Sequence, residues 1–251
     1  MAHRTLALSA LMLTVMLMGC SLMAPPATAQ NDATASSSSS KEATPPVSSK
    51  EATAAQMRVN DAVAVIGRMK GDPNVSELLQ GAKGLLIVPH FIKGGLLIGG
   101  QGGAGLLLVR RDGRWSDPAF YKTGGGSFGA QIGGVKGSMV MILMSDKAVE
   151  SFQNKASTWS FSADAGLTAV NYKKEAPESA TLSDVVVWTD TKGLFGGAVV
   201  GATNISRDDK ADQAYYNRPD VTTQQILGGV VANPNSNILR DVLPTQLASK
   251  K

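Results

Sequence analysis

A glycine-rich stretch at residues 83–134 constrains the fold of this chain of 251 residues more than any other part. Seventeen of the 27 glycines lie between residues 81 and 137. They separate short apolar runs at Leu85–Val88, Leu96–Ile98 and Leu106–Val109. Such runs are too short for helices, and glycine at these spacings weakens a helix. The pattern therefore predicts strands that bend or bulge at glycine.

The clearest turn in this stretch is Asp112-Gly113. An Asp-Gly pair supplies the two positive φ angles of a two-residue hairpin. We therefore predict a hairpin between Leu106–Val109 and Trp115. Further strands are predicted in four segments: Ser138–Met144, Thr158–Asn171, Val185–Trp188 and Gly193–Thr203.

Helices are predicted on both sides of these strands. In Ala54–Lys70, Val59, Val63 and Ile66 share one face. This helix either docks on the core, the alternative we favour, or contacts a membrane. A short second helix is predicted from Asp72-Pro73, an N-cap and first-turn proline, to a stop at Gly81.

The C-terminal half supplies more helical signals. Ser145 or Asp146 can cap a helix through Asn154, and later helices are predicted at Asp208–Tyr216 and Thr222–Leu227. Within Asn235–Leu247, four apolar residues are expected on one side: Ile238, Leu239, Val242 and Leu243. The sequence predicts an α+β domain: a glycine-rich curved antiparallel sheet or partly closed barrel flanked by N- and C-terminal helices.

The N-terminus has the pattern of a secretory signal peptide, predicted at residues 1–19. Leu6–Met18 is apolar but too short to span a membrane stably. The segment ends in Leu17-Met18-Gly19-Cys20, which resembles the bacterial lipobox, and Cys20 is the only cysteine. We expect Cys20 to be acylated and, because Ser21 follows it, the protein to be anchored on the periplasmic face of the outer membrane. The alternative is cleavage after Ala29, which would release a soluble periplasmic protein.

Residues 20–53 are predicted to be a lipidated, disordered tether. They are rich in serine, alanine, threonine and proline, and Ser39–Thr44 recurs as Ser48–Thr53. Such a composition buries too little apolar surface to offset the entropy of ordering. The folded domain is expected at residues 54–249.

An ordered series of short motifs resembles one known family. The series comprises Ala82-Lys83-Gly84, Val88-Pro89-His90, Lys93-Gly94-Gly95, Trp115-Ser116-Asp117-Pro118-Ala119-Phe120, Gly124-Gly125-Gly126-Ser127-Phe128-Gly129, Ser145-Asp146-Lys147, Ser162-Ala163-Asp164-Ala165, Lys192-Gly193-Leu194-Phe195-Gly196-Gly197 and Ala214-Tyr215-Tyr216. Together these motifs resemble the SYLF domain, and the resemblance covers roughly residues 55–245. It implies a lipid-binding domain; family members bind phosphoinositides, and eukaryotic members also engage actin.

The net charge of +4 is too small to favour a nucleic-acid partner, but charge is unevenly distributed. Residues 83–136 carry seven lysines and arginines against two aspartates, which suits an anionic partner. Guanidinium groups at a hairpin tip can each make paired hydrogen bonds to phosphate oxygens. With the resemblance, this predicts lipid-headgroup binding by Lys83, Lys93, Arg110, Arg111, Arg114 and Lys122.

Catalytic motifs are weak. Gly125–Gly129 matches G-x-S-x-G, but glycine-rich strand rather than helix is predicted after Ser127, and His90 is the only histidine outside the signal segment. Gly100–Gly105 matches G-x-G-x-x-G but is predicted to be a strand, so we reject a dinucleotide site. No cysteine-histidine set or calcium loop appears, and we expect no metal or other cofactor.

The sequence therefore predicts a non-enzymatic, membrane-anchored lipoprotein of the bacterial envelope. Its expected ligands are anionic phospholipids or lipid A phosphates. The alternative is an envelope scaffold that binds a protein partner and reaches the membrane only through its acyl anchor. A hydrolase that uses Ser127 is a third, less favoured hypothesis.

Overall fold

The computed structural model describes residues 48–95, 98–128, 133–154, 158–160, 169–171, 183–190 and 204–245. The predicted signal peptide, Cys20, most of the tether, Gly193–Thr203 and residues 246–249 lie outside these ranges. Thr44–Lys251 forms one compact unit. None of the helices in the described ranges has the length and apolar character needed to span a membrane.

Two helices precede the sheet. Helix α1 spans Ser49–Met69, and α2 spans Pro73–Gly81. Val59 and Ile66 on α1 are fully buried, and Val63 packs against the same core. The alternative of a docked core helix is therefore confirmed. Helix α2 begins at the predicted proline and ends at the predicted glycine.

The sheet contains nine described strands. Their bounds are β1 Gly84–Gly95, β2 Ile98–Arg111, β3 Arg114–Trp115, β4 Ala119–Phe128, β5 Gly133–Leu143, β6 Thr158–Ser160, β7 Ala169–Asn171, β8 Val185–Thr189 and β9 Asn204–Arg207. The strand order is β6-β9-β4-β2-β1-β5-β8-β7, with β3 paired to β2. All pairs are antiparallel except β7 with β8. The described strands form an open sheet, so the predicted α+β class is confirmed in its open form.

The hairpin predicted at Asp112-Gly113 joins β2 and β3. Asp112 has φ 49° and Gly113 has φ 77°, both in the left-handed region. Arg111 pairs with Arg114 across the turn, and Arg110 pairs with Trp115. Two consecutive positive φ angles are the requirement that Asp-Gly satisfies, so the local prediction is confirmed.

A bulge interrupts the central strand β1. The pairing of β1 with β5 runs from Val88 opposite Met139 to Phe91 opposite Gly137, which places one extra residue on β1. The bulge thus lies at Pro89–His90, and the prediction of bulges at glycine was wrong at this site. Proline has no backbone N–H for the ladder, so an interior strand tolerates it at a bulge.

Glycine supports this bulge from the neighbouring strand. A Cβ atom at Gly103 of β2 would lie 2.5 Å from the carbonyl oxygen of His90. At Gly105 it would lie 2.6 Å from the carbonyl oxygen of Ile87. Both glycines allow β2 to approach the bulged part of β1 closely.

The other described helices follow two strands, β5 and β9. Their bounds are α3 Asp146–Asn154, α4 Asp209–Tyr216, α5 Thr223–Leu227 and α6 Asn237–Val242, the last preceded by a 3₁₀ turn at Pro234–Ser236. Ser145 Oγ accepts a hydrogen bond from the N–H of Ala148, as predicted for a cap. Helix α4 is capped at its C-terminus by Asn217, which has φ 50°. Helix α1 packs against both α4 and α6.

One prediction for the C-terminal helix was wrong. Leu239 and Leu243 are buried, but Ile238 is 47% exposed. Because the chain enters α6 from a 3₁₀ turn, only Leu239 and Leu243 of the four predicted residues are fully in the core. Val242 is partly buried beside them.

The sheet has two unlike halves. At the end that carries the hairpin, every residue of Leu85–Val88 and Leu106–Val109 is buried. At the other end, four glycines align across β4, β2, β1 and β5 as register partners: Gly126, Gly100, Gly94 and Gly134. Side chains at the hairpin end are therefore held by a packed core.

Candidate functional site: a basic hairpin tip

The β2–β3 hairpin forms a basic tip, defined here as residues 110–114. Arg111 and Arg114 face each other as register partners, and both are exposed. Nη2 of Arg111 donates to Oε1 of Gln153 at 3.3 Å. Two exposed arginines are thus paired across the turn, at the end of the β2–β3 strand pair.

Arg110 turns inward and fastens the tip to the rest of the domain. Its Nη1 donates to the carbonyl oxygen of Gln80 at 2.5 Å, and its Nη2 donates to those of Leu79 at 3.0 Å and Pro244 at 3.1 Å. Its guanidinium lies 4.4 Å from the ring centre of Trp115. Burial lowers the pKa of Arg110. Arg110 thus makes structural contacts, a role that the headgroup prediction did not include.

Trp115 binds one of the backbone carbonyl groups that Arg110 also binds. Its ring is 6% exposed, and its Nε1 donates to the carbonyl oxygen of Pro244 at 2.9 Å. A ring buried to this degree has little surface left for an external partner. Trp115 instead belongs to the core, the commoner role for a tryptophan beside a sheet.

Lys83 lies at the same end of the sheet as the tip. Its Nζ is 2.5 Å from Oδ2 of Asp146, and both side chains are partly or largely exposed. A cleft of about 240 Å³ separates the start of β1 from the hairpin, with Lys83, Arg110, Asp112 and Asp146 on its walls. The two aspartates moderate the positive charge there, so Arg111 and Arg114 remain the strongest basic feature of this end.

The other two predicted cations lie elsewhere. Lys93 is opposite Gln101, ten residues along β2 from Arg111, or roughly 33 Å at strand spacing. Lys122 is opposite Ala104, seven residues or roughly 23 Å from Arg111. Lys93 is only 8% exposed. The six predicted cations therefore do not form one surface.

Lys122 is also engaged with a buried carboxylate. Asp208 lies 2.8 Å from Nζ of Lys122 and 3.1 Å from Nη1 of Arg58. Burial acts to raise the pKa of Asp208, but the hydrogen bonds and charges of Lys122 and Arg58 outweigh it and hold that pKa below its usual value. These contacts tie α1 and β4 to the start of α4.

A second buried carboxylate, Asp212, sits beneath the sheet. It is 1% exposed and accepts a 2.8 Å hydrogen bond from the N–H of Phe120. Burial raises its pKa to about 8, and the nearby charges of Asp209 and Asp208 add to the rise. The sequence signal for Asp212 is only its place on the inner face of a short helix, and sequence reasoning missed it.

The groups considered for catalysis are not assembled into a site in the described ranges. Ser127 lies within β4 opposite Gly99, whereas a nucleophile elbow requires a turn from strand to helix. His90 is at the bulge of β1, with Nε2 3.0 Å from Oδ2 of Asp61. Gly100–Gly105 lies inside β2, as the sequence predicted, whereas a dinucleotide fingerprint requires a helix to begin there. The described residues contain no cluster of three or more potential metal ligands.

The described residues define an α+β domain whose open sheet presents a basic hairpin tip. Comparison with known proteins adds a family match. Residues 124–245 match the family described as "Ysc84: Las17-binding protein actin regulator". The SYLF resemblance predicted from the motifs is confirmed by this match and by relatives named YSC84 and YSC84-like.

Three relatives with which the chain aligns are eukaryotic proteins that extend beyond the aligned region. The chain is 36% identical over 163 residues to the SH3 domain-containing protein PJ696.02 of Schizosaccharomyces pombe, covering 62% of this chain and 37% of the relative. It is 32% identical over 163 residues to Protein YSC84 of Saccharomyces cerevisiae, covering 62% and 34%. For the SH3 domain-containing YSC84-like protein 1 of Xenopus laevis the identity is 29% over 168 residues, covering 64% and 48%.

The chain thus spans between about a third and a half of the length of the curated relatives it matches. No solved structure matches it. The family description names a binding protein and regulator rather than an enzyme.

Proposed function

We propose that this chain is a non-enzymatic, lipid-anchored protein of the bacterial envelope whose domain binds anionic phospholipid headgroups through its hairpin tip. The observation that carries the proposal is the exposed pair of Arg111 and Arg114, register partners at the end of a strand pair. Each guanidinium can donate two hydrogen bonds to phosphate oxygens, and Arg110 fixes the strand that presents them. Lys83 adds a third cation at the same end.

The anchor in this proposal is Cys20. A diacylglycerol group on its thiol would hold the protein on the periplasmic face of the outer membrane, because durable anchoring requires two or more acyl chains. The part of the predicted tether before α1, residues 20–48, would then give the domain reach from the membrane, since α1 begins at Ser49 and not after residue 53. Cleavage after Ala29 would instead leave a soluble periplasmic protein.

The strength expected from the tip is modest. A basic residue close to an anionic surface contributes on the order of 1 kcal/mol. Loss of both Arg111 and Arg114 therefore corresponds to about 2 kcal/mol, or roughly 30-fold in vesicle affinity. The effect should weaken with salt, because exposed charges are screened over about 8 Å at physiological ionic strength.

A vesicle experiment tests the tip. The compact unit Thr44–Lys251, without Cys20, is sedimented with phosphatidylcholine vesicles that contain or lack phosphatidylglycerol, at low and high salt. The double variant Arg111→Ala/Arg114→Ala is compared with Lys210→Ala/Arg218→Ala, which removes the same charge from exposed sites elsewhere. Binding that requires phosphatidylglycerol and is lost only in the tip variant supports the proposal. Equal loss of vesicle binding in both double variants would show that binding depends only on net charge. It would refute a specific role for the hairpin tip.

A protein partner is the second candidate function. It is favoured by the family description, which names a Las17-binding protein and actin regulator. Under this candidate the unit Thr44–Lys251 binds no vesicle, and the full chain sediments with membranes only when Cys20 is present. Mass spectrometry of the N-terminal peptide from the wild type and from Cys20→Ser tests the anchor separately.

A further inference from the structure

The bulge in β1 opens a second cleft, away from the hairpin tip. Its volume is about 460 Å³, within the range of small-molecule sites. Three elements line it: the end of α1 at Arg68, the bulged part of β1 at residues 89–92, and β5 at residues 136–138. Strand bulges commonly occur beside binding sites, because the extra residue redirects neighbouring side chains.

The lining of this cleft is mostly apolar. Pro89, Phe91 and Ile92 contribute from β1, and Gly137 adds no side chain from β5. Ile92 is 47% exposed, which makes it one of the few large apolar residues exposed in the described part of the chain. An exposed isoleucine inside a concave, largely apolar surface offers a contact for an apolar ligand.

A fixed guanidinium stands at one side of this apolar surface. Nη2 of Arg68 donates to Oγ of Ser138 at 2.8 Å and lies 3.2 Å from Oδ2 of Asp190. Ser138 is 3% exposed, and its hydroxyl donates to the carbonyl oxygen of Pro89 at 3.0 Å. Arg68 is therefore held against the bulge through Nη2, and those two contacts do not use its Nε or Nη1.

The charged residues that line the cleft favour a ligand with a negative charge. Arg68 and Lys136 are the arginine and lysine of the described lining, which contains no carboxylate; the nearest carboxylates are those of Asp190, which pairs with Arg68, and Asp61, which contacts His90. The side chain of Arg68 is 49% exposed, so an anion can reach it from solvent. The lining thus combines an apolar surface with cationic groups at its edge.

We infer that this cleft binds a medium-chain carboxylate, with the chain against Ile92 and the carboxylate on Arg68. The site is separate from the hairpin tip. Ile92 is opposite Gly102 of β2, nine residues or roughly 30 Å along the strand from Arg111. The inference therefore does not depend on the proposed function, and failure of one leaves the other standing.

Decanoate is the probe for this site. It is titrated, below its micelle concentration, into the full chain carrying ¹³C-labelled isoleucine methyl groups. We expect the methyl signal of Ile92 to shift while that of Ile238, also 47% exposed, does not. Butyrate, which lacks most of the chain, should bind at least 100-fold more weakly, because each buried methylene adds roughly fourfold. The uncharged 1-decanol should bind at least tenfold more weakly than decanoate.

Matched variants locate the site. Arg68→Ala and Ile92→Asn should each weaken decanoate binding at least tenfold, whereas Arg218→Ala and Ile238→Asn, at similarly exposed positions, should leave it unchanged. Ile92→Asn replaces an exposed side chain, so it tests the cleft even if Arg68→Ala disturbs folding. Equal binding of decanoate and 1-decanol, equal methyl shifts at Ile92 and Ile238, or no shift at Ile92 would each overturn the inference.

Discussion

The hairpin tip contains adjacent arginines to which the structure gives opposite roles, and their substitution should separate those roles. Arg110 donates to three backbone carbonyl oxygens and stacks on Trp115, whereas Arg111 is exposed and contacts only the Gln153 side chain within the described contacts. We expect Arg110→Ala to destabilise the domain strongly and Arg111→Ala to leave its stability almost unchanged.

The size of the destabilisation expected for Arg110→Ala follows from the groups to which Arg110 binds. Leu79 and Gln80 lie in the last turn of α2, where helix carbonyl groups have no partner within the helix. Hydrogen bonds to a charged group contribute about 1.5 to 3 kcal/mol each, and stacking on an aromatic ring adds about 0.5 to 1 kcal/mol. Because Arg110 is partly exposed and Pro244 keeps its bond from Trp115, we take only part of that sum. The expected loss is about 3 kcal/mol, or about 6 to 12 °C in Tm.

Urea denaturation followed by tryptophan fluorescence measures this loss. Arg111→Ala is the control, and its free energy of unfolding should stay within about 0.5 kcal/mol of the wild type, as for most surface substitutions. Arg110→Lys keeps the charge near the end of α2 but not the forked geometry, so it should recover about half of the loss. If Arg110→Ala costs no more than Arg111→Ala, the structural role assigned to Arg110 is incorrect.

Three further predictions concern the core. The pKa of Asp212 in the folded state is raised to about 8, so the contribution of its protonated carboxyl to stability is full below about pH 4 and is lost as the pH rises through 8. Asp212→Asn should remove this pH dependence from the free energy of unfolding. An unchanged pH profile would contradict the raised pKa of Asp212. Gly103→Ala should cost about 2 kcal/mol because its Cβ would meet the His90 carbonyl, whereas Gly100→Ala, with nothing within 4 Å, should stay within about 0.5 kcal/mol in the same urea assay. Arg240→Ala should cost about 2 to 3 kcal/mol by calorimetry, since it leaves the buried Asp117 carboxylate without its cation and with only the N–H of Asn233 as a partner within the described ranges. Equal melting temperatures would exclude a stabilising role for this pair.

Signals with a local steric cause were predictable from sequence. Asp112-Gly113 imposes its turn because few other residue pairs accept two positive φ angles, and Pro73 begins a helix because its φ is already set. The apolar period of α1 likewise identified its buried face, since a period of 3.6 residues leaves one stripe to pack.

Features that depend on distant partners were not predictable. The chemistry of Arg110 is the same whether its donors meet lipid phosphate or the carbonyl of Pro244, 134 residues away. The position of the bulge depends on the register of β1 with both β2 and β5. The division of the six predicted cations has the same origin: strand length, not sequence distance, sets how far apart Lys93 and Arg111 lie.

C-terminal segments of the chain pack against N-terminal ones, and these long-range contacts affect how the protein folds. Helix α1 packs on α4 and α6, and the carbonyl oxygen of Pro244 accepts hydrogen bonds from both Arg110 and Trp115. Contacts across such sequence separations slow folding, because a long loop must close before they form. During synthesis, the apolar face of α1, which ends at Met69, therefore lacks its final partners until the chain has been made as far as Val242. In that interval the nascent chain is open to chaperones and proteases, and a ribosome stalled before Asp209 would leave α1 without α4.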